Sequence, residues 1–260
     1  MAFQNALTAV QQTITARKSI VQVFFPDREI TLAYYNDLFD LHCGDIVFVE
    51  GKLEGFRGRI LDVNYNFKIK MSDYKRVISV ADTNVHGQFY MAGSHFVTFC
   101  PDTLSRRKVA TWFIAPPKED DEFISGSDDS RFRLADLKGF NVSKAVADRG
   151  HEYYIDNKVV YLCVDSTKGY AIVEGTHPYE VEFNYSDGEI SELVCSCYCS
   201  YNCKHEMAAM LQLRETLELI KKNYAEKLDS SSYFAAIRKS TLFGFAIDGK
   251  DTGSFTLQER

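Results

Sequence analysis

The sequence predicts an α+β protein: a β-rich, barrel-like N-terminal domain, then a helix, an antiparallel meander, a cysteine-rich knuckle and another helix. Three observations predict this division. Short β-rich runs separated by Gly, Asp, Asn and Pro fill residues 21–115. A stretch rich in acids and turn residues follows at 116–132, and four cysteines lie within nine residues at 195–203.

The N-terminal domain is predicted to span residues 1–115. Residues 1–18 place apolar side chains at spacings of three and four, which predicts a helix. The strands predicted after it are VQVFF, EITLAYY, DIVFVE, RGRILDV, FKIKM, RVISVA, QFYMA, HFVTF and KVATWFIA. Within them, GDIVFVEGKLEGFRGRI (Gly44 to Ile60) resembles the strand–turn–strand of SH3-like or KOW-type barrels, whose turns its glycines would permit.

The segment 116–132, PPKEDDEFISGSDDSRF, is predicted to be an acidic linker because it combines two prolines with six acids and several Gly and Ser residues. The second domain is predicted to span 133–260. It begins with a helix over about 142–154, followed by the strands VVYLCVD, GYAIVEG, YEVEFNY and EISELV. A long helix then runs from His205 to about Lys227, and TLFGFAID, GKDTG and SFTL predict a final hairpin.

Composition limits the classes of partner. The formal net charge is −6, so the overall field does not attract nucleic acid, and only a local basic patch could do so. No run approaches the roughly 20 apolar residues of a membrane helix, and the N-terminus has no signal-peptide pattern. We therefore expect a cytoplasmic protein without membrane contact, in which thiols stay reduced and clustered cysteines indicate metal rather than disulfides.

The spacing Cys195-x-Cys197 and Cys203-x-His205 predicts a zinc knuckle. Alternation along a strand sends Cys195 and Cys197 to one face, and Cys203 just before a helix can converge with His205 from its first turn. Thiolate and imidazole are the ligands that Zn²⁺ prefers, and a closed four-ligand set indicates a structural ion. Cys199 is the alternative: it is either a loop thiol or a ligand that replaces or exchanges with Cys197.

The pattern C-x-C-x5-C-x-H in VCSCYCSYNCKHEMAAML resembles the SWIM-type zinc finger. AVADRGHEYYIDNKVV is similar to that family's lead helix, and GYAIVEGTHPYEVEF to its meander, including Gly175 and Tyr179. The resemblance covers about 144–213. It departs at Tyr198 and Cys199, where the family often has Pro and Tyr. It implies a ββα zinc domain that binds DNA or proteins, often beside a Swi/Snf-type helicase.

Motifs of the common enzyme classes are absent from the sequence. After His205-Glu206, the zincin pattern needs a second His where Ala209 stands, and there is no Walker A loop, dinucleotide fingerprint or nucleophile elbow. A redox Cys-x-Cys pair explains the cluster less well than zinc does. We therefore expect a protein that is not an enzyme and has no small-molecule substrate.

Two functions remain open. The first is DNA binding, as an accessory to a helicase, through Lys204 beside the zinc site and through basic residues among aromatics in the first domain: Lys52, Arg57, Arg59, Lys68 and Lys70. Interspersed acids make a plain solvated face the alternative for that patch. The second is a protein-interaction adaptor whose surface is shaped by zinc, which the acidic linker and the acidic pI favour.

Overall fold

A computed structural model describes residues 16–117, 121–199 and 201–247, together with the backbone of 256–258. Within these residues the chain forms two sheets and four α-helices, so the fold is mixed α and β, as predicted. The helix predicted over 1–18 falls almost wholly on residues 1–15, which lie outside the described residues.

The bounds of the elements in the first half are β1 (Ser19–Phe25), β2 (Ile30–Asn36), β3 (Ile46–Val49), β4 (Gly58–Asn64), β5 (Val77–Val80), β6 (Gln88–Ala92), β7 (His95–Thr98) and α1 (Arg106–Phe113). Those in the second half are β8 (Arg131–Arg133), α2 (Lys144–Ile155), β9 (Val159–Asp165), β10 (Lys168–Glu174), β11 (Pro178–Ser186), β12 (Glu189–Cys195), α3 (Lys204–Ser230), β13 (Tyr233–Arg238), α4 (Lys239–Ala246) and β14 (Thr256–Gln258).

The smaller sheet is antiparallel, in the order β2-β1-β4-β3-β5. Alternate residues of β1 are fully buried in the core of the smaller sheet, as the period-two pattern predicts: Val21, Val23 and Phe25. Tyr35 at the end of β2 forms a bridge with Arg76 just before β5, so the two edge strands approach each other. Full barrel closure stays a prediction. The strand predicted at FKIKM is wrong, because residues 67–70 have no strand conformation and Met71 begins a short 3-10 helix.

The larger sheet has the order β14-β6-β7-β13-β9-β10-β11-β12-β8 and is antiparallel apart from the parallel pairing of β14 with β6. Residues of β9 and β10 contribute to two different cores, one on each face of the sheet. α2 and α3 cover one face, and α1 and α4 cover the other. This two-sided cover explains why VVYLCVD is apolar almost throughout instead of alternating.

Two predicted strands are helices instead. KVATWFIA lies mainly in α1, where Ser105 caps the helix by accepting from the Lys108 N–H and where Val109, Trp112 and Phe113 bury one face. The tail segment TLFGFA lies in α4, and β14 pairs with β6, so the predicted C-terminal hairpin is wrong for the described part of the tail. In both cases burial of the apolar side chains in the core beneath the helix prevailed over β propensity.

Strand pairing does not follow the division predicted at 116–132. β6 and β7 precede that segment, yet β7 pairs with β13 in the same sheet as the meander. Residues 121–130 are exposed and contain no helix or strand, as expected of a connecting segment. Within the described residues, no helix combines the length and apolarity needed to cross a bilayer.

Close packing of α2 against the start of α3 positions the cysteine cluster. Gly150 of α2 is buried there, and a Cβ at this position would lie 2.5 Å from the Met207 Cβ and 3.1 Å from the Lys204 carbonyl oxygen. Only glycine allows this approach. It brings α2 side chains beside the first turn of α3, which carries the predicted ligands.

Candidate metal centre

The first pair of cysteines lies where β12 ends. Cys195 is the last residue of β12 and lies opposite Val181 of β11. Beyond it, the Ser196 N–H donates to the Glu180 carbonyl at 2.9 Å, and the Glu180 N–H donates to the Ser196 hydroxyl at 2.9 Å. These bonds hold the chain along β11 for one more residue and so fix the path on which Cys197 follows.

The second pair lies at the start of α3. Cys203 is the N-cap: its Sγ accepts from the Glu206 N–H at 3.5 Å, while its own N–H donates to Glu206 Oε2 at 2.6 Å. This capping box holds the Cys203 side chain at the helix end and leaves His205 in the first turn. The carboxylate of Glu206 is buried and engaged in the cap.

The four predicted ligands converge. The Sγ atoms of Cys195, Cys197 and Cys203 and a ring nitrogen of His205 all lie within 4.8 Å of one another. His205 Nδ1 is 3.7 Å from both Cys195 Sγ and Cys203 Sγ. Around a tetrahedral ion with Zn–S near 2.3 Å and Zn–N near 2.0 Å, sulfur and nitrogen are about 3.5 Å apart. The cluster is therefore close enough to hold a metal ion, and its dimensions fit a tetrahedral one.

The electrostatics of the cluster favour a cation. A hydrogen bond with Cys195 and then burial raise the pKa of Cys203, and burial raises the pKa of Cys197 to about 12. Burial, helped by the charge of Lys204, lowers the pKa of His205 to about 4, so its imidazole is neutral and can offer a lone pair. Without an ion, Cys197 and Cys203 are therefore protonated thiols at neutral pH, and a bound cation would displace the protons and stabilise the thiolates.

Two tyrosines enclose the His205 ring. Tyr179 of β11 stacks on it with centroids 4.0 Å apart and an interplanar angle of 17°, and Tyr153 of α2 meets it edge-on at 5.5 Å. Gly175 makes room for the first ring, because a Cβ there would lie 2.9 Å from Tyr179 Cε2. Spacing alone did not reveal these rings, since they come from elements distant in sequence; Tyr179 and Gly175 were noted only through the family resemblance.

Cys199 lies outside the convergent group. Its side chain is exposed, although it is close enough to Cys197 to form a hydrogen bond with it. Tyr198 and Tyr201, on either side of it in the same loop, are also largely exposed. The structure thus places this thiol at the outer surface of the loop.

The six basic residues predicted to contact nucleic acid lie in different surroundings. Lys52, Lys68 and Lys70 are exposed around the smaller sheet. Arg57 lies over the rings of Phe113 and Phe245, and Arg59 donates to the Gly244 carbonyl. Lys204 lies with its Nζ 4.4 Å from the centre of the Tyr153 ring. Arg57 and Arg59 therefore face α1 and α4, the helices that pack on the larger sheet, and not open solvent alone.

No protein-family model, curated protein or solved structure matches this chain. The resemblance to the SWIM-type zinc finger therefore rests on the sequence motif alone.

Proposed function

We propose that the chain is a zinc-binding protein in which residues 144–213 form a SWIM-type module around one structural Zn²⁺. The observation that carries this proposal is the convergence of three cysteine sulfurs and one imidazole nitrogen within 4.8 Å. Soft thiolate ligands with one imidazole favour Zn²⁺ over cations that prefer oxygen ligands, such as Mg²⁺ and Ca²⁺. A filled set of four protein ligands leaves no position for substrate, so the role of the ion is structural.

The ion would add a covalent-like link between two segments that already pack in one core. It would tie the end of β12 to the first turn of α3, with the loop of residues 196–202 between them. In that loop the structure describes exposed tyrosines and no helix or strand. Zinc would therefore fix the shape of the loop, and the loop is the part of the module available to a partner.

Nucleic acid, specifically DNA, is the first proposed partner. The exposed rings of Tyr198 and Tyr201 can stack on bases, and the start of α3 with Lys204 offers positive charge to a phosphate. Lys52, Lys68 and Lys70 would add contacts from the smaller sheet. On this reading the chain works beside a helicase supplied by another polypeptide, as the family resemblance implies.

A protein partner is the second candidate, and one observation favours it. Phe123 and Ile124 are 79% and 90% exposed within the acidic segment. A few residues further on, Gly126, Ser127 and Asp128 line a cavity of about 320 Å³ together with Cys195 and Cys197. An exposed apolar pair in an irregular acidic segment that continues to the metal cluster suits an adaptor surface.

Fluorescence anisotropy with labelled single- and double-stranded DNA distinguishes the two. We expect zinc-loaded protein to bind at 50 mM salt, to bind more weakly at 200 mM salt, and to lose binding in the variant Tyr198→Ser/Tyr201→Ser. Arg107→Gln, which removes an exposed charge on α1, is the control. Absence of binding by zinc-loaded protein at low salt would exclude the DNA function. A protein that still co-purifies after nuclease treatment would support the adaptor.

A further inference from the structure

A second cleft, which none of the clustered cysteines lines, lies where the smaller sheet meets the end of β13 and the start of α4. Its volume is about 190 Å³. Its wall combines basic, acidic, hydroxyl and apolar groups, among them Arg57, Arg59, Glu174, Arg238, Ser240 and Phe245. Three arginines and one carboxylate thus face one small space.

Two of the three arginines are held by protein groups. Arg238 forms an ion pair with Glu174 at 2.9 Å and also donates to the Asn157 carbonyl and the Thr241 hydroxyl. Arg59 donates to the Gly244 carbonyl of α4. These contacts fix the positions of the two guanidinium groups, and they use the only carboxylate in the wall of the cleft.

Arg57 is held differently, by aromatic faces. Its guanidinium carbon lies 4.9 Å from the centre of the Phe245 ring and 5.4 Å from that of Phe113. The ring faces attract the positive charge, but they offer no oxygen or nitrogen acceptor to the five N–H donors of the guanidinium. Across the described chain, Arg57 forms no ion pair and donates no hydrogen bond to another residue.

The charge of Arg57 is also incompletely balanced. Burial lowers the pKa of Arg57, which means that its cation has lost hydration. Glu174 and Asp27 oppose that shift, while Arg59 and Arg238 reinforce it. Three cations therefore act against two carboxylates here, and a desolvated guanidinium with unfilled donors favours an anionic ligand.

The start of α4 supplies further donors to the same space. Ser240 and Thr241 lie in the first turn of this eight-residue helix, and no side chain caps it. The Thr241 hydroxyl accepts from Arg238 and so directs its own proton elsewhere. The Lys239 N–H already donates to the Ser94 carbonyl, so the N–H groups of Ser240 and Thr241, with the positive end of the helix dipole, are the ones that can attract a negative charge.

We propose that this cleft binds a phosphate group, with Arg57 as its principal ligand and with Arg59, Arg238 and the first turn of α4 completing the site. A guanidinium fork matches two oxygens of a phosphate, and the volume suits one phosphate with a small attached group rather than a length of polymer. The ligand is a small phosphate ester. The site is independent of zinc and of the DNA function proposed above.

Calorimetric titration of the whole protein with inorganic phosphate, at ionic strength held constant with sodium chloride, tests the proposal. We expect saturable binding with one site per chain. Trp112, the one tryptophan of the chain, stacks on Phe245 at 5.4 Å and gives a second readout through its fluorescence. Glycerol 3-phosphate against glycerol, and a 5′-phosphorylated against a 5′-hydroxyl oligonucleotide, identify the source of the phosphate.

Two variants and their controls separate binding from a purely structural role for Arg57. Arg57→Gln should weaken phosphate binding at least tenfold, whereas Arg107→Gln, which removes an equal charge from an exposed site on α1, should not. Ser240→Asp adds a carboxylate at an exposed helix start that tolerates it, so it should abolish binding without unfolding the chain, and Ser240→Asn is its neutral control.

The outcomes are distinct from those of the DNA assay. Phosphate binding that survives zinc removal and fails in Ser240→Asp supports the cleft whether or not DNA binds. No saturable binding by the wild-type protein overturns the proposal. So does undiminished binding by both Arg57→Gln and Ser240→Asp, because Arg57 would then serve only to pack the two sheets together.

Discussion

Replacement of Cys203 by serine separates its role as helix cap from its proposed role as metal ligand. Serine is a good N-cap and can still accept from the Glu206 N–H, so the cap, worth about 1 kcal/mol, should survive in Cys203→Ser. The thiolate is lost. Changing a group that only orients a ligand weakens metal binding 10–100-fold, or about 1.4–2.8 kcal/mol. Loss of a ligand itself should therefore lower the free energy of unfolding by more than about 3 kcal/mol.

Thermal unfolding of both proteins, before and after removal of metal with a chelator, measures this difference. We expect Cys203→Ser to melt well below the wild type when zinc is present. After chelation, the unfolding midpoints of the wild type and of Cys203→Ser should coincide, because the two proteins are expected to differ only in how tightly they bind the metal. If the difference between the two melting temperatures is equally large in chelator, Cys203 acts through packing or capping and not as a metal ligand. Hydrogen exchange at the start of α3 should report the same loss locally.

Further predictions follow from the surroundings of the site and from the cores. Cys199→Ser should keep one zinc per chain and an unchanged melting temperature, because the thiol is exposed and outside the ligand set; loss of zinc would make it a ligand. Tyr179→Leu should cost about 1 kcal/mol and weaken zinc retention against a competing chelator, since its ring stacks on His205; equal retention would contradict this. Trp112→Ala should cost roughly 3–5 kcal/mol in denaturant unfolding, since the side chain is fully buried; a loss below 1 kcal/mol would contradict its place in the core. Burial lowers the pKa of His95 to about 4, so below its ordinary pKa of about 6.5 the unfolded state binds a proton that the native state does not. The free energy of unfolding should therefore fall by about 3 kcal/mol between pH 6.5 and pH 4. Denaturant titration at both pH values should show that the variant His95→Gln does not lose this amount.

Much of the fold could be predicted because the patterns are local. The period-two burial along β1, the meander strands β9 to β12 and the long helix α3 all follow from apolar spacing. α1 and α4 could not be assigned correctly in this way. Their β-branched and aromatic residues favour strands in isolation, and only the core beneath them makes a helix with buried Trp112 and Phe245 the better arrangement.

The pairing of strands that are distant in sequence could not be predicted either. Nothing local in QFYMA or HFVTF shows that β6 and β7 belong to the sheet of the second half, since that depends on β13 and β14 far along the chain. The candidate metal cluster was predictable because its ligands lie within eleven residues and their chemistry is restrictive. The ring of Tyr153 beside His205 and the arginine cleft at Arg57 were not, because each joins segments separated by dozens of residues.

X-ray absorption at the zinc edge, on protein purified under reducing conditions, identifies the ligands of the proposed metal centre. The geometry predicts one zinc per chain, with three sulfurs at about 2.3 Å and one nitrogen at about 2.0 Å. A first shell of four sulfurs would mean that Cys199 replaces His205 as a ligand. A chain that retains no zinc while folded and reduced would contradict the account of Cys195, Cys197, Cys203 and His205 as a metal centre.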